Sequence, residues 1–264
     1  MGGFSIGYGI SVSPRLAAFD PDALAYFTTA GITDNTAKTQ INDFVVGIKD
    51  LGLWSSMVSW PLRSSQNAGT GTTAYSLGGL GAYNGTLVSS PSWTADGIDF
   101  TSSSANYIST TFSPSFQASS AIIISNSDDV VTTRSYFGQV KADWLGMRFR
   151  RQNDTLRPQL GGQFINSLSL SLLNFNFISV AWDSTTSISV LNNATEVSLT
   201  LPASPSIGAG TVPSYNIAKA GDFAEYWDGK IALFAIILTR ITFSQMNSIR
   251  AICKTSIGDG LGLP

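Results

Sequence analysis

The chain changes character once, near Pro61, and that break limits what it can fold into. Across 64–133 there is not one Lys or Arg, and Ser, Thr, Asn and Gly dominate. A long stretch of this kind lacks the charged outer stripe of surface helices. Its apolar residues fall instead in short runs between turn signals, the grammar of strands. Upstream of the break the grammar is helical. Charged residues make up only 12% of the 264, about half the usual share, while 43% are hydrophobic, enough for a real core.

The upstream part reads as two helices. Asp20 caps the first and Pro21 starts it; Leu24, Phe27 and Thr28 share one face, and Gly31 ends it. Thr33 is expected to cap the second. There Ala37, Ile41, Phe44, Val45, Ile48 and Leu51 form one apolar stripe, with Gly52 as the stop. Neither helix can bury its stripe alone, so the pair must pack on each other or on the β domain. Before them, Phe4, Ile6, Tyr8, Ile10 and Val12 alternate with small residues. That period fits an extended arm pairing with a neighbouring subunit, and a disordered tail equally well.

Downstream, strands are expected at 86–89, 97–100, 107–112, 121–125, 144–150, 175–183, 187–191, 196–201 and 231–238, separated by turns such as Asp96-Gly97 and Asp228-Gly229. Many short strands at regular spacing predict a sandwich or barrel. Thr242 and Gln245 form a capping box for a last helix with Phe243, Met246, Ile249 and Ile252 on one face. The expected organisation is an arm at 1–16, a helical hairpin for attachment at 17–62, a linker at 63–83 whose Gly78-Gly79-Leu80-Gly81 reads as flexible, and a β-sandwich at 84–264.

Composition excludes much chemistry. There is no histidine, which removes Ser-His-Asp and Cys-His catalysis, and one cysteine, Cys253, which removes ordinary zinc sites and internal disulfides. Cys253 reads as a packed, inert thiol, and the lack of disulfides fits folding in a reducing cytoplasm. A net charge of −2 gives no electrostatic case for nucleic acid. No apolar run approaches the ~20 residues of a membrane span, and the N-terminus has neither region of a signal peptide. Glycoside hydrolysis needs two carboxylates, and the chain has only two glutamates, Glu196 and Glu225. Glu225 and Asp228 lie close in sequence, but Asp228-Gly229 reads better as a turn and Trp227 as a core plug. The expectation is no catalytic residue, no metal site and no cofactor. Calcium through Asp96, Asp99, Asp128, Asp129 and Asp154 is conceivable, but no motif groups them.

One charge anomaly stands out. The stretch 134–157 holds six of the fifteen basic residues. In a strand, Met147 and Phe149 would face the core, with Arg148 and Arg150 facing out. Those arginines could grip carboxylates of a partner subunit or an anionic host polysaccharide, or simply form a solvated face. The aromatics nearest turn signals, Tyr83, Tyr107, Tyr136, Tyr215, Tyr226 and Trp227, are the candidate sugar platform. Trp144 and Trp182 read as core.

Two resemblances follow. Ala30-Gly31-Ile32-Thr33-Asp34, continuing to Gly52-Leu53-Trp54-Ser55-Ser56-Met57 and the Trp60-Pro61 turn, resembles a segment recurrent in virion proteins of tailed bacteriophages. Ser56 stands where that segment commonly has Lys. The runs from Trp93 to Phe100 with Asn106-Tyr107-Ile108, and from Trp227 to Ile237 with the capped helix after it, resemble the concanavalin A-like, laminin-G-like sandwich. The resemblances imply a mainly β protein, a concanavalin A-like antiparallel jelly-roll sandwich behind an arm and a helical hairpin. They imply a non-enzymatic phage structural protein of head, neck or tail, assembled in the host bacterial cytoplasm and resident in the virion. Its partners would be other virion proteins, further copies of itself and, as a receptor-binding adhesin, host surface glycans. Candidate assembly contacts are Phe4, Ile6, Tyr8, Phe44 and Trp54; the candidate glycan or partner surface is Tyr136, Arg148, Arg150, Tyr215 and Tyr226.

Overall fold

The computed structural model describes residues 18–114, 118–128, 133–140, 146–152, 155–160, 163–164, 174–183, 187–200 and 214–264. Two helices open it, α1 (Pro21–Ala30) and α2 (Asn35–Asp50), and α3 (Phe243–Thr255) closes it. Between them lie two eight-stranded antiparallel sheets. Sheet A runs β14 (Thr195–Thr200), β13 (Ser187–Asn192), β12 (Asn176–Trp182), β7 (Ser119–Ser125), β16 (Gly229–Ile237), β5 (Ile98–Phe100) and β4 (Ser92–Trp93), with β1 (Met57–Pro61) also on β16. Sheet B runs β11 (Gln163–Phe164), β10 (Thr155–Leu160), β9 (Gly146–Gln152), β8 (Arg134–Val140), β15 (Asn216–Ile217), β6 (Tyr107–Thr110), β3 (Gly85–Val88) and β2 (Thr73–Ala74).

The sequence explains why the molecule has three layers. On β7, Ala121 and Ile123 pack between the sheets, while Ile122 and Ile124 pack under the helices. On β16, Ile231, Phe234 and Ile236 point one way and Leu233, Ala235 and Ile237 the other. Apolar side chains at both parities mean a strand buried on both faces. The inter-sheet core is aromatic: Trp60 lies 5.8 Å from Phe234, and Phe234 lies 5.0 Å from Phe137. The second core joins Ile41, Phe44 and Ile48 of α2 and Met246, Ile249 and Cys253 of α3 to the outer face of sheet A. The hairpin therefore packs on the β domain.

The helix ends are written locally. The Asp20 carboxylate accepts from Asp22 N, and Gly31 stops α1 at φ 69°. The Thr242–Gln245 capping box opens α3 as expected. The N-cap of α2 is Asp34, not Thr33, and accepts from Ala37 N. The α1 face also differs from expectation. Ala23, Tyr26, Phe27 and Ala30 are buried, and Leu24 is 47% exposed. The Tyr26 hydroxyl donates to Gln66 O at 2.9 Å, a buried contact that fixes this rotation.

The segment 63–83 is no linker. It carries β2, and the Asn67 side chain donates to the carbonyls of Pro61 and Tyr75 while accepting from Tyr75 N. Ser59 and Leu77 exchange backbone hydrogen bonds, both 2.7 Å. Gly78 and Gly79 serve close approach rather than flexibility. A Cβ on Gly78 would sit 2.2 Å from Met57 O, and one on Gly79 2.6 Å from Trp54 O. Ser and Gly here let a backbone press against β1, a role composition does not reveal. Sequence reading found nine strands but missed β1, β2, β4, β8, β10, β11 and β15, which are short or irregular in pattern.

The arm at 1–16, with Phe4, Ile6 and Tyr8, lies outside the described residues, as do Trp144, Asp129 and Asp154. Among the described residues no helix is long and apolar enough to cross a membrane.

Candidate functional site

The helices cover the outer face of sheet A over β7, β12 and β16, while charged and aromatic side chains gather on the outer face of sheet B. Strand alternation decides what stands there. Phe137, Met147, Phe149, Leu156 and Ile108 enter the inter-sheet core. Their strand neighbours Ser135, Arg148, Arg150, Arg157, Gln159, Tyr107 and Ser109 therefore face outward. Cross-strand register aligns one row as Ser109, Asn216, Gly138, Arg148 and Gln159.

The expected alternation of Met147 and Phe149 against Arg148 and Arg150 holds, but the arginines are not a solvated docking patch. Arg148 is 0% exposed and Arg150 9%. The loop from β15 to β16 folds back over them and brings Glu225. Its carboxylate meets Arg148 Nη1 at 3.0 Å and Arg150 Nη1 at 3.3 Å, and accepts from Ser135 Oγ at 3.0 Å. Arg148 Nε donates to Gln159 Oε1, and its guanidinium lies 4.8 Å from the Phe223 ring centroid. Arg157 donates to Gln152 Oε1. Burial pulls the Arg148 pKa down to about 10, against the pull of Glu225. The group remains charged at neutral pH, so it needs its carboxylate. The cluster fastens the loop to the sheet.

Two of the tyrosines also leave the candidate surface. Tyr136 is 2% exposed, its ring 3.9 Å from Trp227 and 5.6 Å from Phe149. Tyr215 is 2% exposed beside Phe112, Phe137 and Phe234. Burial pushes both phenols well above their ordinary pKa. A bulge between Ser135 and Phe137 turns Tyr136 inward, and sequence gives no sign of it. Phe44, expected as an assembly contact, is fully buried between α2 and sheet A and cannot touch a partner. Trp54 stays half-buried, under the Lys49 ammonium at 5.4 Å, and lines a cleft of about 200 Å³ with Tyr26 and Asn84.

Tyr226 remains accessible, and the fold gives it partners that sequence spacing hides. Lys219 and Tyr226 bridge as backbone neighbours across the folded-back loop. Tyr107 comes in from β6, with ring centroids 6.2 Å apart. The Lys219 ammonium lies 4.5 Å from the Tyr107 ring and 5.8 Å from that of Tyr226. All three side chains are half-buried. This is a cation held against two aromatic rings, each contact worth about 0.5–1 kcal/mol at such exposure. Lys219 was missed because one lysine in a turn-rich stretch carries no local signal.

Glu225 and Asp228, close in sequence, take different partners. Glu225 faces Arg148 and Arg150, whereas Asp228 accepts from Ser102 Oγ at 2.7 Å and lies 3.6 Å from Arg134. Trp227, read both as a core plug and as part of the sugar platform, fills the core and leaves the platform. Asp96 lies 3.6 Å from Lys230. Burial, with Asp128 nearby, raises the Asp99 pKa. Among the described residues no group of three or more His, Cys, Asp or Glu could hold a metal ion.

No family model and no curated protein matches the chain. Solved structures do. The Trypanosoma rangeli sialidase in complex with sialic acid matches with TM-score 0.57 and 10% identity, over 77% of this chain and 34% of that one. Trypanosoma rangeli sialidase in a second structure gives TM-score 0.57 and 11% identity, over 84% and 39%. A sialyllactose-bound module, the Ruminococcus gnavus IT-sialidase CBM40, covers 54% of this chain at TM-score 0.43 and 9% identity, too low to bear on the fold. The chain thus spans between 34% and 39% of the length of the sialidase chains it matches, and at such identity the likeness concerns architecture alone. Together with the two sheets, it makes this chain a mainly β protein, an antiparallel jelly-roll sandwich preceded by a helical hairpin.

Proposed function

We propose that the chain is a non-enzymatic structural component of a tailed-phage particle, assembled in the bacterial cytoplasm, that displays a lectin-like sandwich at head, neck or tail. The observation that carries this reading is the place of the phage-like segment 30–57 in the fold. It forms α2 and the lead into β1, and so belongs to the layer that seals the outer face of sheet A. On the other face the returning loop buries Arg148 and leaves Tyr107, Lys219 and Tyr226 partly exposed to meet partners. The separate engagements of Glu225 and Asp228 argue against the two-carboxylate form of glycoside hydrolysis. Other virion proteins and further copies of the chain are the partners this reading requires.

Electron microscopy of purified particles labelled with an antibody to residues 84–254 tests it. Regular label on the particle is expected, and intact particles without label would overturn the reading. A second reading, an adhesin for host surface carbohydrate, is favoured by the partly exposed Tyr107–Tyr226–Lys219 cluster on the sheet B side. Label confined to fibre tips would put it first.

A further inference from the structure

We propose that Lys219, held over Tyr107 and Tyr226, is the centre of a binding site for a carboxylated saccharide on the outer face of sheet B. The inference rests on the display reading only in that it names what the displayed sheet B side would grip.

Three observations carry it. First, the cation is positioned in advance. Its ammonium lies 4.5 Å and 5.8 Å from two ring centroids, and its backbone is fixed by the bridge to Tyr226. A lysine already ordered loses less freedom when it meets an anion. Second, its charge is not matched. Among the described residues no carboxylate lies within salt-bridge distance of Lys219, and Glu225, one residue from Tyr226, is turned to Arg148, Arg150 and Ser135. The loop's other two carboxylates are Asp228, which accepts from Ser102 Oγ and lies 3.6 Å from Arg134, and the exposed Asp222. Third, the surroundings suit a sugar. Tyr107 and Tyr226 give apolar ring edges and hydroxyl tips, and half-buried Ser109 and Asn216 stand in the adjacent row of the sheet. A phosphate would call for arginine forks or a nest of backbone N–H groups. The arginines here are already joined to Glu225 and to glutamines, which leaves a single point cation with hydroxyl-bearing neighbours. A monocarboxylate on a hydroxylated ring complements that set.

The test is calorimetric titration of the full chain at low salt with three probes: a galacturonic acid hexamer, the neutral maltohexaose, and inorganic polyphosphate. The galacturonate hexamer is expected to bind. Lys219→Gln should weaken it by about tenfold or more and Lys219→Arg by far less, since the charge survives. Tyr226→Ala should weaken it several-fold, with melting temperatures of the variants close to that of the parent. No binding of the galacturonate hexamer, equal binding of maltohexaose or polyphosphate, or an unchanged affinity in Lys219→Gln would each overturn the site. Particle labelling is independent of this result. Label without binding removes the saccharide site and leaves the display reading; binding without label does the reverse.

Discussion

At the scale of single residues, burial inverts the meaning of charge. Arg148 is fully buried, and Glu225 is 24% exposed at its side chain. Removing one partner of a sealed pair costs roughly 3–5 kcal/mol because the other charge stays behind. Water still reaches Glu225, so Glu225→Gln should destabilise by about 2 kcal/mol, read as a lower urea midpoint at constant slope. An unchanged midpoint would mean the cluster is solvated after all. Asp20 gives a pH dependence. Burial pushes its carboxyl up, but the Lys49 hydrogen bond, the N–H groups of Asp22 and Ala23 and the Lys49 charge outweigh that and hold it below its ordinary value. Lys49 Nζ lies 2.7 Å from Asp20 and 2.6 Å from Asp22. A carboxyl with a depressed folded pKa contributes stability above its unfolded value, about 4, and that contribution disappears as pH falls through the folded value. Asp20→Asn keeps the cap and removes the charge. The gap in urea midpoint between parent and variant should therefore shrink from pH 5 to pH 2.5, and a constant gap would refute the assignment.

At the scale of elements, the sequence announces helices by their caps and doubly buried strands by their unbroken apolar runs. It is less informative about which face of a helix turns inward. The stripe of α2 was legible because it is long and regular; that of α1 was misread by one position, since Ala23 and Ala30 mark its buried face as much as any large residue. The consequence for Phe44 is testable. As a core residue between α2 and sheet A, its change to Ala should cost about 3–5 kcal/mol and leave the oligomeric state alone. A normal melting temperature with a changed mass in solution would restore Phe44 as an assembly contact. The Gly/Ser tract at 63–83 was read as flexible because composition cannot separate a free glycine from one pressed on a carbonyl. Gly78 and Gly79 are of the second kind.

At the scale of the whole molecule, the three-layer arrangement makes the hairpin part of the fold. Ile122, Ile124, Phe177, Leu233, Ala235 and Ile237 form the face that the helices cover. Deleting residues 18–56 should expose that face as a contiguous apolar patch and give a protein that aggregates or binds a hydrophobic dye strongly. A soluble monomer with low dye binding would show that the sandwich stands without its helices. The sequence by itself determined the local features: two capped helices, a capping box before the last one, many of the strands, and a composition without histidine chemistry. Each is set by residues within a few positions of one another. Only the tertiary structure decided where the charged and aromatic side chains stand. Arg150 meets Glu225 across 75 positions, and Lys219 reaches Tyr107 from another strand region entirely. The physical reason is that a side chain's exposure and partner depend on what the fold lays over it, and a returning loop, a bulge at Tyr136 or a close glycine approach has no periodic signature to read in advance.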